Sequence, residues 1–170
     1  TSLTTGNSNT IIGALAGDAI TSASSNSGVG ASCLGALTTG YNNHAQGASA
    51  MLNTTTGVEN TAMGHQALYS NVTGNDNVAI GNNALYTNTA SGNTAVGDQA
   101  MFSNTSGTTN VAVGDNALFA NTTGSFSTAV GNSALAAQTG TGAENTAGGN
   151  ASLISTNEGV GNTAVGEGSG

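Results

Sequence analysis

Asn93-Thr94-Ala95-Val96-Gly97-Asp98-Gln99-Ala100-Met101-Phe102-Ser103-Asn104-Thr105-Ser106-Gly107-Thr108-Thr109 runs directly into Asn110-Val111-Ala112-Val113-Gly114-Asp115-Asn116-Ala117-Leu118-Phe119-Ala120-Asn121-Thr122-Thr123-Gly124-Ser125-Phe126. Both stretches follow one plan: Asn, a short β-branched run closed by Gly, a small residue followed by a large apolar one and an aromatic, then Asn-Thr and a second Gly. Traced outward, the first glycine recurs at Gly13, Gly30, Gly47, Gly64, Gly81, Gly97, Gly114, Gly131, Gly149 and Gly166, at intervals of 17, 17, 17, 17, 16, 17, 17, 18 and 17 residues. Asn stands four places before it in every unit but one, which has Ser127. The chain is therefore read as one repeat domain over residues 1–170, with units starting near 9, 26, 43, 60, 77, 93, 110, 127, 145 and 162.

A seventeen-residue period is too short for a helical hairpin, whose repeats run about 34 residues, and it suits one circuit of a narrow β-coil. The expected fold is all-β, a parallel β-solenoid (β-helix or β-roll) of about ten coils, oligomeric, and about 48 Å long at the usual strand spacing. With the recurring Asn as position 1, position 4 is mostly Ile or Val, as strands prefer. Alternation puts positions 2 and 4 on one face and the small residue at position 3 on the other, and positions 2 and 4 are expected to point inward. Position 8 is small (Ala16, Cys33, Ala50, Ala67, Ala84, Ala100, Ala117, Ala134), and position 9 is expected to supply the one large core side chain per turn (Leu34, Met51, Leu68, Leu85, Met101, Leu118, Leu135, Leu153). Position 10 then forms an outer aromatic ladder of Tyr69, Tyr86, Phe102 and Phe119 or a subunit seam. The glycines at position 5 and again at position 15 (Gly40, Gly57, Gly74, Gly107, Gly124, Gly159) are expected to supply the backbone freedom of sharp corners. Asn71, Asn88, Asn104 and Asn121, in register at position 12, are expected to stack as an amide ladder.

Composition narrows the function. The chain holds 27 Gly in 170 residues, no Pro, Trp, Lys or Arg, and a formal charge of −8. With 36% hydrophobic and 5% charged residues it fits neither an acidic disordered tail nor an ordinary enzyme core. Without Lys or Arg to neutralise phosphates, nucleic acid is not an expected partner. No apolar run is long enough for membrane insertion. The chain opens at Thr1 without a signal-peptide pattern and reads as a mature or internal segment. No polar cap is visible at either end, so either the solenoid continues or copies stack end to end.

Over nearly the whole chain, and most strongly from Asn60 to Ala134, the units, such as Asn93-Thr94-Ala95-Val96-Gly97 through Ala100-Met101-Phe102 to Asn104-Thr105-Ser106-Gly107, resemble the head repeats of trimeric autotransporter adhesins and the repeats of phage-type tail-fibre proteins. The resemblance implies three chains wound into a rod that presents an adhesive surface, an extracellular or cell- or virion-surface location, and no catalytic residues. The expected partners are the chain itself, as a trimer or an end-to-end polymer, and surface glycans or a host receptor. The expected function is a structural component of an extracellular filament, adhesin or tail-fibre shaft.

No enzyme chemistry is expected. His44 and His65 sit at positions 2 and 6 of neighbouring units, and a structural zinc site wants four convergent ligands. Asp18, Glu59, Asp76, Asp98, Asp115, Glu144, Glu158 and Glu167 mostly flank turns and read as solvated. Calcium needs six or more oxygens, and the aligned Asp98 and Asp115 supply too few. A hydrolytic carboxylate pair or a Ser-His-acid triad lacks its setting. No metal and no cofactor are therefore expected. Cys33 reads as a small core residue. Asn53, Asn71, Asn104, Asn121 and Asn150 head Asn-x-Ser/Thr sequons and are candidate glycosylation sites. Two alternatives to a fibre remain: an ice-binding face built on a position-13 Thr array (Thr55, Thr89, Thr105, Thr122, Thr139), and a glycan-binding rod using the aromatic ladder.

Overall fold

The computed structural model describes residues 6–139, 141, 143–154 and 159–170. Its strands are β1 (Thr10–Ile12), β2 (Ser27–Val29), β3 (His44–Gln46), β4 (Thr61–Met63), β5 (Val78–Ile80), β6 (Thr94–Val96), β7 (Val111–Val113), β8 (Thr128–Val130), β9 (Thr146–Gly148) and β10 (Thr163–Val165). They form one parallel sheet in sequence order. Each unit is one circuit of a β-solenoid, stacked on the next.

Register is kept even where the repeat length is not. β5 pairs with β6 as Val78↔Thr94 despite a sixteen-residue unit, and β8 pairs with β9 as Thr128↔Thr146 despite an eighteen-residue one. The missing and extra residues are absorbed in the corner after position 12, because a one-residue slip in a strand would exchange its two faces. The inter-turn ladder continues round the corners: Leu68 N donates to Ala84 O, Ser70 N to Tyr86 O and Thr55 N to Val72 O, while Gln66 N donates back to Ala48 O.

The strand orientation is the reverse of that expected from the sequence. Position 3 points inward: Ala62, Ala79, Ala95, Ala112 and Ala129 are fully buried. Position 4 points outward, with Ile12, Val29, Met63, Ile80, Val113, Val130 and Val165 exposed. Position 9 fills the core as expected, from Leu34 through Met51, Leu68, Leu85, Met101, Leu118 and Leu135. One Leu or Met and the Ala at position 8 already occupy the narrow interior, so only a methyl fits at position 3. In the first two turns Ile11 and Gly28 stand there, and a Cβ added to Gly28 would meet Cys33, Leu34 and Ile11.

The glycines divide into two kinds. Those at position 5 lie at φ between 125° and 146°, a region L side chains rarely adopt, and an added Cβ would run into the backbone of the next turn in nine of the ten. The position-15 glycines Gly40, Gly57, Gly74 and Gly107 have no such φ. Their constraint is close approach, since a Cβ would strike a carbonyl of the adjacent turn. Left-handed backbone falls instead on non-glycine residues at position 7 (Gln66, Asn83, Gln99), position 9 (Leu68, Leu85, Met101) and position 17 (Glu59, Asp76, Thr109), all near φ 51–58°. Such conformations cost of order 1–3 kcal/mol each and persist where surrounding structure over-determines them.

The orientation is directly testable. Ala95→Val should cost about 1–3 kcal/mol by overpacking a filled interior, whereas Val96→Thr, on the opposite face of the same strand, should stay within about 0.5 kcal/mol. Denaturant melts of the two variants measure the difference.

Candidate functional site

The interior is organised by amides. The recurring Asn at position 1 is buried, and it makes three kinds of bond. In the central turns Asn60 Nδ2 donates to Gly74 O at 2.9 Å and to Asn43 Oδ1 at 3.1 Å, while Asn60 N donates to Asn43 Oδ1 at 3.1 Å. Asn77 repeats the pattern on Asn60 Oδ1, at 3.0 and 3.1 Å, as Asn110 does on Asn93 Oδ1. In these turns Oδ1 thus serves two donors of the turn above, and Nδ2 ties the start of its own circuit to the end; Asn93 departs by turning its Nδ2 to Asn88 Oδ1. Nothing in the strand pattern singled out position 1 for this role, although its recurrence in nine of ten units was the available signal.

The position-12 amides form a second column beside the first. Asn104 Nδ2 donates to Asn88 Oδ1 at 2.7 Å, Asn121 Nδ2 to Asn104 Oδ1 at 2.9 Å, and Gln138 Nε2 to Asn121 Oδ1 at 3.1 Å. They share acceptors with position 1: Gly74 O takes bonds from Asn60 and Asn71, Gly107 O from Asn93 and Asn104, and Gly124 O from Asn110 and Asn121. The expected ladder therefore exists from Asn88 to Asn121 and extends to Gln138, but Asn71 does not complete it. In the short unit Asn88 Nδ2 is drawn to Ala90 O, and Asn71 Oδ1 is left buried without a partner. Thr54 Oγ1, one turn below, is likewise buried and unpartnered. It stands where the column changes from Ile20 and Leu37 to amides.

One pair of departures from the repeat compensates for itself. Ser127 replaces Asn at position 1 and is too short to span the interior, while Gln138 replaces Asn at position 12 and is one methylene longer. Gln138 Nε2 reaches Ser127 Oγ at 3.3 Å, and its Oε1 accepts from Asn145 Nδ2 at 3.0 Å, restoring the acceptor that Ser127 does not supply to that amide. Two consequences are measurable by denaturant unfolding. Thr54→Asn supplies an acceptor for Asn71 Nδ2 and removes an orphaned hydroxyl, and should stabilise by about 1 kcal/mol. Gln138→Asn should destabilise by about 1–3 kcal/mol by orphaning buried groups, with most of the loss recovered in the Ser127→Asn/Gln138→Asn double variant.

On the outside, the four aromatics stack with centroids 5.0, 5.1 and 5.5 Å apart and planes within 15°. Stacking spends the ring faces on one another and leaves the edges to solvent, the wrong presentation for a sugar. The position-13 threonines are also engaged: Thr55 Oγ1 donates to Val72 O, Thr89 Oγ1 to Thr105 O and Thr105 Oγ1 to Thr122 O. Of the sequons, Asn71, Asn104 and Asn121 are fully buried with their amides bonded, so the fold withdraws them as acceptors of a glycan. Asn150 is exposed and Asn53 half-buried.

His44 lies exposed on β3, and His65 lies on the position-6 corner, with Nδ1 3.3 Å from Asn82 Oδ1. Asn82 Nδ2 donates to Asp98 Oδ1 at 3.1 Å. Among the described residues no three His, Cys, Asp or Glu side chains cluster as a metal site; Glu158 lies outside those residues. Cys33 is buried, and burial pushes its thiol above the usual value. Thiol reagents should therefore label the native chain far more slowly than the denatured one. Stability should also fall as pH rises past the ordinary thiol value, because the unfolded thiol ionises first.

What remains for a partner is the outer face of the sheet. Positions 2 and 4 of ten strands make two parallel columns: Thr or Val in eight of ten places in one, Ile or Val in seven of ten in the other. None of the ten strands carries an acid, although the chain has eight. Single exposed apolar residues are ordinary; here they recur in register along one face, with Gln46 and Gly148 as the gaps in the position-4 column.

The fold and this surface define a parallel β-solenoid repeat protein. No protein-family model, no curated protein and no solved structure matches the chain. No helix among the described residues is long and apolar enough to cross a membrane.

Proposed function

We propose that the chain is a structural rod segment of an extracellular filament, adhesin or tail-fibre shaft, and that it self-associates through the outer face of the sheet. The observation that carries this reading is the unbroken in-register stack from β1 to β10, whose chemically differentiated residues are spent on stacking and whose exposed apolar residues recur along one face of the sheet. Resemblance to adhesin heads and tail-fibre repeats supports the reading, as does the absence of Lys and Arg, which removes every trypsin site. Catalysis forms no part of it.

The occupant of the sheet face is a second copy of the chain. A molecule with eight acids and no basic side chain repels its own kind wherever acids meet. The acid-free columns of positions 2 and 4 are where two copies approach without that penalty, and they bring apolar surface together. Every turn adds the same contact, so association strengthens with the number of turns.

The ice-binding alternative loses support because the hydroxyls of Thr55, Thr89 and Thr105 bond the backbone of the next turn, and the glycan alternative because the aromatic faces are covered. Light scattering of the native chain should give a mass above that of one 16.2 kDa protomer, and electron microscopy should show rods. The Ile80→Asp/Val113→Asp variant should be monomeric with an unchanged circular-dichroism spectrum, since both side chains point away from the core. A native chain that stays monomeric at high concentration removes the seam, and thermal hysteresis in place of rods restores the ice-binding alternative.

A further inference from the structure

The apolar columns are interrupted at β3. There His44 at position 2 stands between Ser27 and Thr61, and Gln46 at position 4 between Val29 and Met63. They share a shallow depression of about 250 Å³ with Ser27 and Val29 of β2, Ala45, and Thr61 and Met63 of β4. His44 is the one titratable side chain among all ten strands. The groups packed around it on β2 and β4 carry no charge, and the nearest acid along the chain, Glu59, lies on the corner before β4. The other imidazole, His65, sits off the face on the position-6 corner.

We propose that His44 makes association through this face sensitive to acid. The inference rests on the seam described above and adds its regulation. Above the range in which histidine side chains take up a proton, the imidazole is a neutral polar group that the seam covers at little cost. In the protonated form it places a cation against an apolar surface with no acid on the sheet to pair it, and desolvation disfavours that state. Protons therefore bind the separated chains better than the assembly, and lowering the pH drives dissociation.

The direction of the effect separates this proposal from general electrostatics. The chain carries −8 with both histidines neutral. Protonating them lowers the magnitude of that charge, so acidification acting through net charge alone strengthens self-association. A seam containing His44 does the opposite.

The test is sedimentation equilibrium of the native chain at pH 8 and pH 5.5 at constant ionic strength, with His44→Gln and His65→Gln alongside. Native protein should lose at least about tenfold in association constant at the lower pH, the effect of a one-unit shift in protonation. His65→Gln should behave as the native chain, and His44→Gln, which repeats the neutral chemistry of Gln46, should remain assembled at both values. Association that is unchanged or stronger at pH 5.5, or an acid-induced loss that persists in His44→Gln, overturns the proposal and leaves the seam standing. A native chain already monomeric at pH 8 overturns the seam itself, and the inference with it.

Discussion

A polar group placed inside a coil only one large side chain wide must find its partners along the axis, in the turn above and the turn below. The position-1 asparagines meet that requirement by being alike and in register: Oδ1 receives the backbone N–H of the next turn and, at Asn26, Asn43, Asn60 and Asn93, its Asn amide as well, while the amide ties its own circuit closed. An amide is suited to this because it donates and accepts on one planar group. A buried unpaired amide costs more than a paired one contributes, so the column works only as a whole. The remainder of the architecture follows from keeping these amides aligned.

Alignment explains the backbone. Residues at positions 7, 9 and 17 sit in the left-handed region although most are not glycine, and at position 9 they are Leu or Met. Local preference is overruled there because the side chain at position 9 is the turn's main apolar contact and must enter the core from a tightly bent corner. The glycines stand where no Cβ fits against the neighbouring turn. Departures in unit length are confined to the corner beyond position 12, the part of the circuit that can change size without moving a strand face or an amide.

The same rule divides the molecule into an interior that recognises only another turn and an exterior free to vary. The exterior varies by face. Acids and amides collect on corners, aromatics stack on one another, and β-branched residues line the sheet. The acids stay off the sheet face, and its one titratable side chain is the imidazole of His44.

The period, the parallel stack, the apolar role of position 9 and the aromatic ladder were legible in the sequence, because a residue type that returns at a constant interval must return to the same place on a regular coil. Recurrence does not say which way that place points. Val96 and Ala95 alternate identically whichever is buried, and the β-branched residue looked like the core only because strands in wider folds bury it. Likewise Asn60 and Asn71 are both recurrent asparagines, yet only the tertiary structure shows that the first joins a continuous amide column while the second has an unsatisfied oxygen. Volume decided the strand orientation: the position-9 side chain and the position-8 Ala leave room for a methyl and nothing larger. Amide geometry decided the rest, since Ser127 and Gln138 read as two unrelated lapses in the repeat until the interior brings them within 3.3 Å of each other.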